Sequence, residues 1–158
     1  MVETIKIVNS DVLKMSVDVV AHQVNCKGVM GAGLAKQIRE LFPDVYHAHH
    51  NACTAFPHLL GCIQLIRVPG NMAYIANLYA QYDYGVGKRY TNYHALEHCL
   101  IKLREAMLER RLATLALPYG IGCGLGGGEW DKIYPIIEKV FTPEYNISVF
   151  ICKNVKEV

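Results

Sequence analysis

The chain has 158 residues, of which 52% are hydrophobic and 19% charged, and its formal net charge at pH 7 is +2. This composition excludes a disordered chain, and the length suits one domain with a single continuous core. The charge is too small to indicate a nucleic-acid-binding surface by itself, and the basic residues are scattered along the chain.

The six cysteines lie far apart in the sequence and form no CxxC pair. The N-terminal residues lack a signal-peptide pattern, and no apolar run reaches the roughly 20 residues that a membrane-spanning helix needs. Free thiols in a reducing compartment therefore explain the cysteines better than a disulfide framework does. We expect a cytoplasmic protein without a membrane segment.

The apolar pattern predicts strands that alternate with helices along the whole chain. In chain order it predicts strands over residues 4–8 and 17–24, helices over 33–42 and 44–54, a hairpin of strands 62–68 and 73–79, a helix that ends near residue 111, a strand over 112–117, a helix over 130–141 and a strand over 147–152. Pro43 ends the first helix, Asp44 caps the second, and Pro135 starts or kinks the last one. This order indicates an α/β sandwich of residues 1–158, with a mixed, largely parallel sheet between helical layers.

Two glycine-rich loops, residues 25–33 and 120–128, each follow a predicted strand and precede a predicted helix. Glycine permits positive φ and lets backbone N–H groups approach an anion without a Cβ in the way. In open α/β sheets, ligands bind at the carboxyl ends of the strands, where both loops begin. The sequence therefore predicts one crevice that binds a ligand with two phosphates.

With Asp11 after the first strand, these loops make the chain resemble the macro domain, the ADP-ribose-binding α/β module. The resemblance covers nearly the whole chain and is carried by residues 21–35 and 118–124. Within the family the chain is most similar to the compact branch that contains the terminal ADP-ribose protein glycohydrolase, the DNA ADP-ribosyl glycohydrolase antitoxins and the yeast-type ADP-ribose-1″-phosphate phosphatase. No cofactor or metal is implied.

The resemblance also implies a role for each matching position. Asp11 would accept a hydrogen bond from the adenine amine, with Val12 contributing backbone, and Phe150 or a neighbour would pack on adenine. Asn25 would bind the distal ribose hydroxyls. Gly31, Ala32 and Gly33 in the first loop would border that ribose and the diphosphate. The second loop would close over the diphosphate through the backbone N–H groups of Gly120, Ile121, Gly122, Cys123, Gly124 and Leu125.

Two functions are compatible with this resemblance. The first is a hydrolase acting at the distal ribose of ADP-ribose-1″-phosphate, O-acetyl-ADP-ribose or ADP-ribosyl esters, with Asn25 and His22 as catalytic residues. The second is a non-catalytic reader of ADP-ribose or of an ADP-ribosylated protein or nucleic acid. The glycohydrolase branch has a lysine nucleophile where this chain has Gln81, and its protein-directed member has an acid at Gly126. Glutamine cannot form a Schiff base, so a lysine-dependent mechanism is disfavoured.

Several side chains have both a functional and a structural interpretation. His22 is either a catalytic acid or base or a hydrogen-bonded core histidine. For Cys26 and Cys123 we favour packing over a nucleophilic role. The His-x-His-His-x-x-Cys run formed by His47, His49, His50 and Cys53 predicts a solvated helix face rather than a metal site. The tyrosines Tyr79, Tyr82, Tyr84 and Tyr90 either line the distal-ribose side or pack as a loop.

Overall fold

The computed structural model describes residues 3–154, which form one six-stranded sheet with helices on both faces. The strands are β1 Ile5–Asn9, β2 Val19–Val24, β3 Ile63–Arg67, β4 Tyr74–Tyr79, β5 Thr114–Pro118 and β6 Ser148–Lys153, and the α-helices are α1 Gly33–Leu41, α2 Pro43–Ala55, α3 Tyr93–Glu109 and α4 Trp130–Val140. The strand order is β1-β6-β5-β2-β4-β3, in which β3 pairs antiparallel with β4 and the other pairs are parallel. The predicted α/β class with a mixed, largely parallel sheet is confirmed.

Each face of the sheet carries its own hydrophobic core because side chains alternate along a strand. On β2, Val19 and Ala21 pack in the cluster that includes residues of α3 and α4, whereas Val20 packs with residues of α1 and α2. By this alternation His22 lies on the α1/α2 face and Gln23 on the α3/α4 face. The central strand therefore carries polar side chains on both faces at its carboxyl end.

The boundaries between elements follow local chain chemistry, with one exception. Pro43 ends α1 and is the first residue of α2, where a missing N–H costs nothing. Asp44 is not the cap of α2, as the sequence pattern predicted, because Phe42 holds that position and Asp44 lies in the first helical turn. Pro135 lies inside α4 rather than at its start. The predicted hairpin is present, and Gly70 in its turn has a φ of +109°.

The sheet brings the two glycine-rich loops to the same edge. β2 and β5 are parallel neighbours, with Val19 opposite Leu115, so the loops that follow them leave the sheet side by side. All six cysteines lie in the described residues and are free. Within residues 3–154 none of the helices is both long enough and apolar enough to cross a membrane.

Candidate functional site

A cleft of about 550 Å³ opens where β2 and β5 end, and both glycine-rich loops line it. Ten of the residues predicted from the sequence lie in its wall, namely His22, Asn25, Gly31, Ala32, Gly33, Gly120, Ile121, Gly122, Gly124 and Leu125. The wall also includes residues that sequence reasoning did not propose as a site, such as Gln23, Met30 and Val86. None of the lining residues carries a charged side chain at neutral pH. The cleft therefore meets a ligand with neutral side chains and peptide groups.

The first glycine-rich loop delivers the N-terminus of α1 to this cleft. Ala32 is the N-cap residue and has no side chain that could accept a hydrogen bond from the first turn. Gly33, Leu34 and Ala35 line the cleft, and in the described part of the chain their N–H groups donate no hydrogen bond. Free amides at a helix N-terminus attract anions through the positive end of the helix dipole. This end of the cleft is suited to a phosphate.

The second glycine-rich loop is a tight set of turns that leaves several amides unused. The N–H of Cys123 donates to the Gly120 carbonyl at 2.8 Å, and that of Gly128 donates to the Gly122 carbonyl at 2.8 Å. Gly122 has a φ of +78°, where a side chain would be strained and would crowd its neighbours. Among residues 3–154, no acceptor is found for the N–H groups of Gly122, Gly124 and Leu125. These amides form a second group of free donors on the wall of the same cleft.

Asn25 holds the first loop in shape through its own side chain. Its Oδ1 accepts hydrogen bonds from the N–H groups of Lys27 at 3.0 Å and Val29 at 3.2 Å. Its Nδ2 donates to the Val29 carbonyl at 2.8 Å. Three of its four hydrogen-bonding positions are thus used inside the loop, and only the second N–H of Nδ2 remains for a ligand. The spacing of Asn25 and Val29 gave no indication of this loop-forming role.

His22 is almost fully buried in the cleft floor, with 2% of its surface exposed. Its Nε2 lies 2.6 Å from Oδ1 of Asn77, its partner across the β2/β4 pairing. Burial lowers the pKa of His22 to about 4, so the imidazole is neutral at pH 7. It is therefore both a hydrogen-bonded core histidine and a cleft residue, which joins the two interpretations that the sequence allowed.

Gln81 and Gly126, the two positions at which this chain differs from the glycohydrolase branch, both have a structural role. Gln81 lines the cleft, accepts a hydrogen bond from Nε2 of Gln23 at 2.8 Å and donates to the Asp83 carbonyl at 2.8 Å. At Gly126, a Cβ would lie 2.5 Å from Oγ1 of Thr91 and 2.8 Å from the Gly122 carbonyl oxygen. Neither position offers a nucleophile or an acid.

Four residues predicted for the ligand lie outside the cleft wall: Asp11, Val12, Cys123 and Phe150. Asp11 accepts a hydrogen bond from the N–H of Leu13 at 3.0 Å and caps the 3-10 helix Val12–Lys14. Val12 is buried, and the partly buried Phe150 packs against the same cluster. Their roles toward adenine remain predictions.

The thiols in the two loops are not activated. Burial raises the pKa of Cys26 to about 11 and also raises the pKa of Cys123, so both are protonated at pH 7. The nucleophilic interpretation is therefore disfavoured for both, in line with the preference for packing.

The histidine run on α2 is not uniformly solvated, so that prediction is wrong for His49. His47 and His50 are exposed, but His49 is completely buried and its Nδ1 lies 3.0 Å from the hydroxyl of Tyr79. Within residues 3–154 no group of three or more potential ligands is placed to hold a metal ion.

The four tyrosines of the predicted cluster lie in different positions relative to the cleft. Tyr84 is exposed and lines the cleft, whereas Tyr79 is buried beneath it. Tyr82 lies outside the cleft wall under the ammonium group of Lys27, 4.2 Å from the ring centre, and Tyr90 packs against Gly85. Only one of the four tyrosines thus lines the cleft.

Comparison with known proteins places the chain in a family. The macro domain model matches residues 21–137. The chain is 26% identical over 96% of its length to a DNA ADP-ribosyl glycohydrolase from Thermus aquaticus, but it spans only 42% of that relative. It is 30% identical to an ADP-ribose 1″-phosphate phosphatase from Scheffersomyces stipitis, over 86% of this chain and 90% of the relative. The solved macrodomain of Thermus aquaticus DarG has 26% identity and a TM-score of 0.82, with 94% of this chain and 97% of that chain covered. The chain belongs to the macro domain family.

Proposed function

We propose that the protein binds ADP-ribose derivatives in the cleft and hydrolyses them at the distal ribose. The observation that carries this proposal is the presence of two groups of free backbone amides, at the start of α1 and in the loop of residues 120–128, on one cleft. Two groups of donors on one cleft match the two phosphates of a diphosphate. The names of the relatives from Thermus aquaticus and Scheffersomyces stipitis, which both refer to ADP-ribose chemistry, support the same ligand.

Peptide dipoles are the means by which this cleft compensates the charge of the diphosphate. The amides of Gly33, Leu34 and Ala35 lie at the positive end of the α1 dipole, and those of Gly122, Gly124 and Leu125 belong to a rigid turn. Preorganised donors bind charge without reorganising, which fixes the position of the distal ribose.

His22 is the side chain that we propose for orienting the attacking water. At pH 7 it is neutral, and its Nδ1 makes no hydrogen bond within the described residues, so this nitrogen can accept one from water. Hydrolysis then cleaves the bond that joins the distal ribose to its substituent. The hydroxyl group of water goes to one fragment, and the other proton of water goes to the oxygen that leaves with the second fragment. The products are ADP-ribose and phosphate from ADP-ribose-1″-phosphate, or ADP-ribose and a carboxylic acid from an ester. Asn25 contributes by holding the loop and through its remaining N–H.

A second candidate function is a reader that binds ADP-ribose without hydrolysis. The observation that favours it is the pair of positions 81 and 126. A hydrogen-bonded glutamine replaces the lysine nucleophile of the glycohydrolase branch, and a sterically required glycine replaces the acid of its protein-directed member. The reader and the hydrolase share the cleft and differ only in whether the ligand stays intact.

The test combines binding with product analysis. The protein is titrated with ADP-ribose by calorimetry and incubated with ADP-ribose-1″-phosphate, O-acetyl-ADP-ribose, and ester-linked and thymidine-linked ADP-ribose, with products identified by mass spectrometry. His22→Ala is expected to lose hydrolysis and retain binding, while the exposed His58→Ala is the matched control and retains both. Binding with every substrate intact identifies a reader. The absence of binding contradicts both functions.

A further inference from the structure

Five polar side chains form a connected network beneath the cleft, between β2, β3, β4 and α2. His22 Nε2 lies 2.6 Å from Asn77 Oδ1, and Asn77 Nδ2 donates to Gln64 Oε1 at 3.0 Å. The hydroxyl of Tyr79 donates to the same Gln64 oxygen at 2.8 Å and lies 3.0 Å from His49 Nδ1. His22, His49 and Asn77 are buried. The network thus joins a cleft residue to helix α2, which packs on the same face of the sheet.

A backbone carbonyl fixes the orientation of the central side chain. Gln64 donates a hydrogen bond from Nε2 to the Ala48 carbonyl at 2.9 Å. A carbonyl oxygen can only accept, so the amide nitrogen of Gln64 has to face Ala48 and its oxygen has to face Asn77 and Tyr79. The Gln64 amide therefore cannot flip without losing this bond.

This orientation determines which ring nitrogen of His22 carries the proton. Because the Gln64 oxygen accepts from Asn77, the Asn77 nitrogen points toward Gln64 and the Asn77 oxygen points toward His22. That oxygen needs a donor, so Nε2 of His22 carries the proton and Nδ1 is bare. This Nδ1 has no hydrogen-bond partner in the described residues and is not among their solvent-inaccessible unpartnered atoms, so water can reach it.

The branch of the network that runs from Gln64 through Tyr79 to His49 places the proton of His49 on Nδ1, whereas His22 carries its proton on Nε2. The Tyr79 hydroxyl donates its only proton to Gln64, so its oxygen accepts from His49 and Nδ1 of His49 is protonated. Nε2 of His49 is then bare.

We propose that Gln64 is a positioning residue, which holds His22 as the Nε2–H tautomer so that Nδ1 accepts a hydrogen bond from the water used in hydrolysis. The proposal rests on the proposed function for the role of the water, but not for the tautomer. It also assigns opposite tautomers to two histidines in one network, His22 with Nε2–H and His49 with Nδ1–H. No residue of the network other than His22 has to touch the ligand for this role.

The test measures the tautomers of both histidines by long-range 1H–15N correlation spectra at pH 7. Wild-type protein is compared with Gln64→Met, which keeps the side-chain volume but removes both the donor and the acceptor. Ile66→Val on the same face of β3 is the matched control. In Gln64→Met we expect Asn77 to turn over in part, the Nδ1–H form of His22 to appear, and the Tyr79 hydroxyl to donate to Nδ1 of His49. If the two His22 forms become equally populated, kcat falls about twofold with KM unchanged.

The spectra decide the proposal even where Gln64→Met folds poorly, because the wild-type tautomers are predicted on their own. Nδ1–H on wild-type His22, Nε2–H on wild-type His49, or unchanged His22 signals in a folded Gln64→Met variant would each overturn the proposal. The predicted tautomers in a protein that hydrolyses none of the four substrates would instead contradict the hydrolase function and leave the assignment of the network intact.

Discussion

Acidification is expected to destabilise this protein through its two buried histidines. Burial lowers the pKa of His22 and of His49 to about 4, compared with 6.5 for an exposed histidine. Between these values the unfolded chain binds protons that the folded protein does not bind. Stability therefore falls as the pH decreases from about 6.5, and the loss levels off below about pH 4.

The size of the effect follows from the same pKa values. At pH 5 an unfolded histidine is almost fully protonated and a folded one is mostly neutral, which amounts to about 2 kcal/mol for each residue. The pair contributes about 4 kcal/mol, a large share of the roughly 5–15 kcal/mol that stabilises a typical domain. Both side chains are buried, so solvent screening reduces this value little.

Urea denaturation at pH 7 and pH 5 measures the difference in the free energy of unfolding. His49→Phe removes one of the two groups, so its loss between the two pH values is expected to be about half that of the wild type. The exposed His58→Gln is the control and is expected to keep the full loss. Equal stability of the wild type at both pH values, or a full loss in His49→Phe, would refute this reasoning.

Three further changes test the cleft. Ala32→Ser supplies the missing N-cap side chain of α1 and is expected to stabilise the ligand-free protein by about 1 kcal/mol in urea denaturation. The same change is expected to weaken ADP-ribose binding in calorimetry, because the new hydroxyl accepts a hydrogen bond from an amide that the phosphate needs. Unchanged affinity would show that the phosphate does not bind there. Gly126→Ala is expected to cost about 1–3 kcal/mol because of its 2.5 Å approach to Thr91, whereas Gly124→Ala has open space and is expected to cost less; equal losses in urea denaturation would contradict the packing argument. ADP-ribose affinity is expected to change little between low and high salt, because peptide dipoles rather than charged side chains line the cleft; a steep dependence in calorimetry would point to lysine or arginine contacts.

The elements that position the cleft are predictable from the sequence because local signals specify them. The nearly continuous apolar run before Asn25 predicts a central strand, and glycines after it and after Pro118 predict loops at strand ends. A parallel α/β order then brings both loops together. Asp44 failed as a cap because Pro43 already fits the first helical position, which moves the cap back to Phe42.

The polar network could not be predicted, because it depends on pairing between distant strands. His22 meets Asn77 only through the register of β2 with β4, and Asn77 meets Gln64 through the register of β4 with β3. A single polar residue in an apolar strand carries no information about its partner. The one available signal was that Asn77 and His22 both interrupt buried strands, since buried polar side chains need hydrogen bonds. His49 was misassigned because a histidine-rich helix looks polar on every face.

The most direct test of the account is a 1H–15N NMR titration of the protein with ADP-ribose. We expect the amide signals of Gly33, Leu34 and Ala35 and those of Gly122, Gly124 and Leu125 to shift together with one dissociation constant. Shifts in only one of the two groups, or no shift in either, would contradict the claim that one cleft binds a diphosphate through both loops.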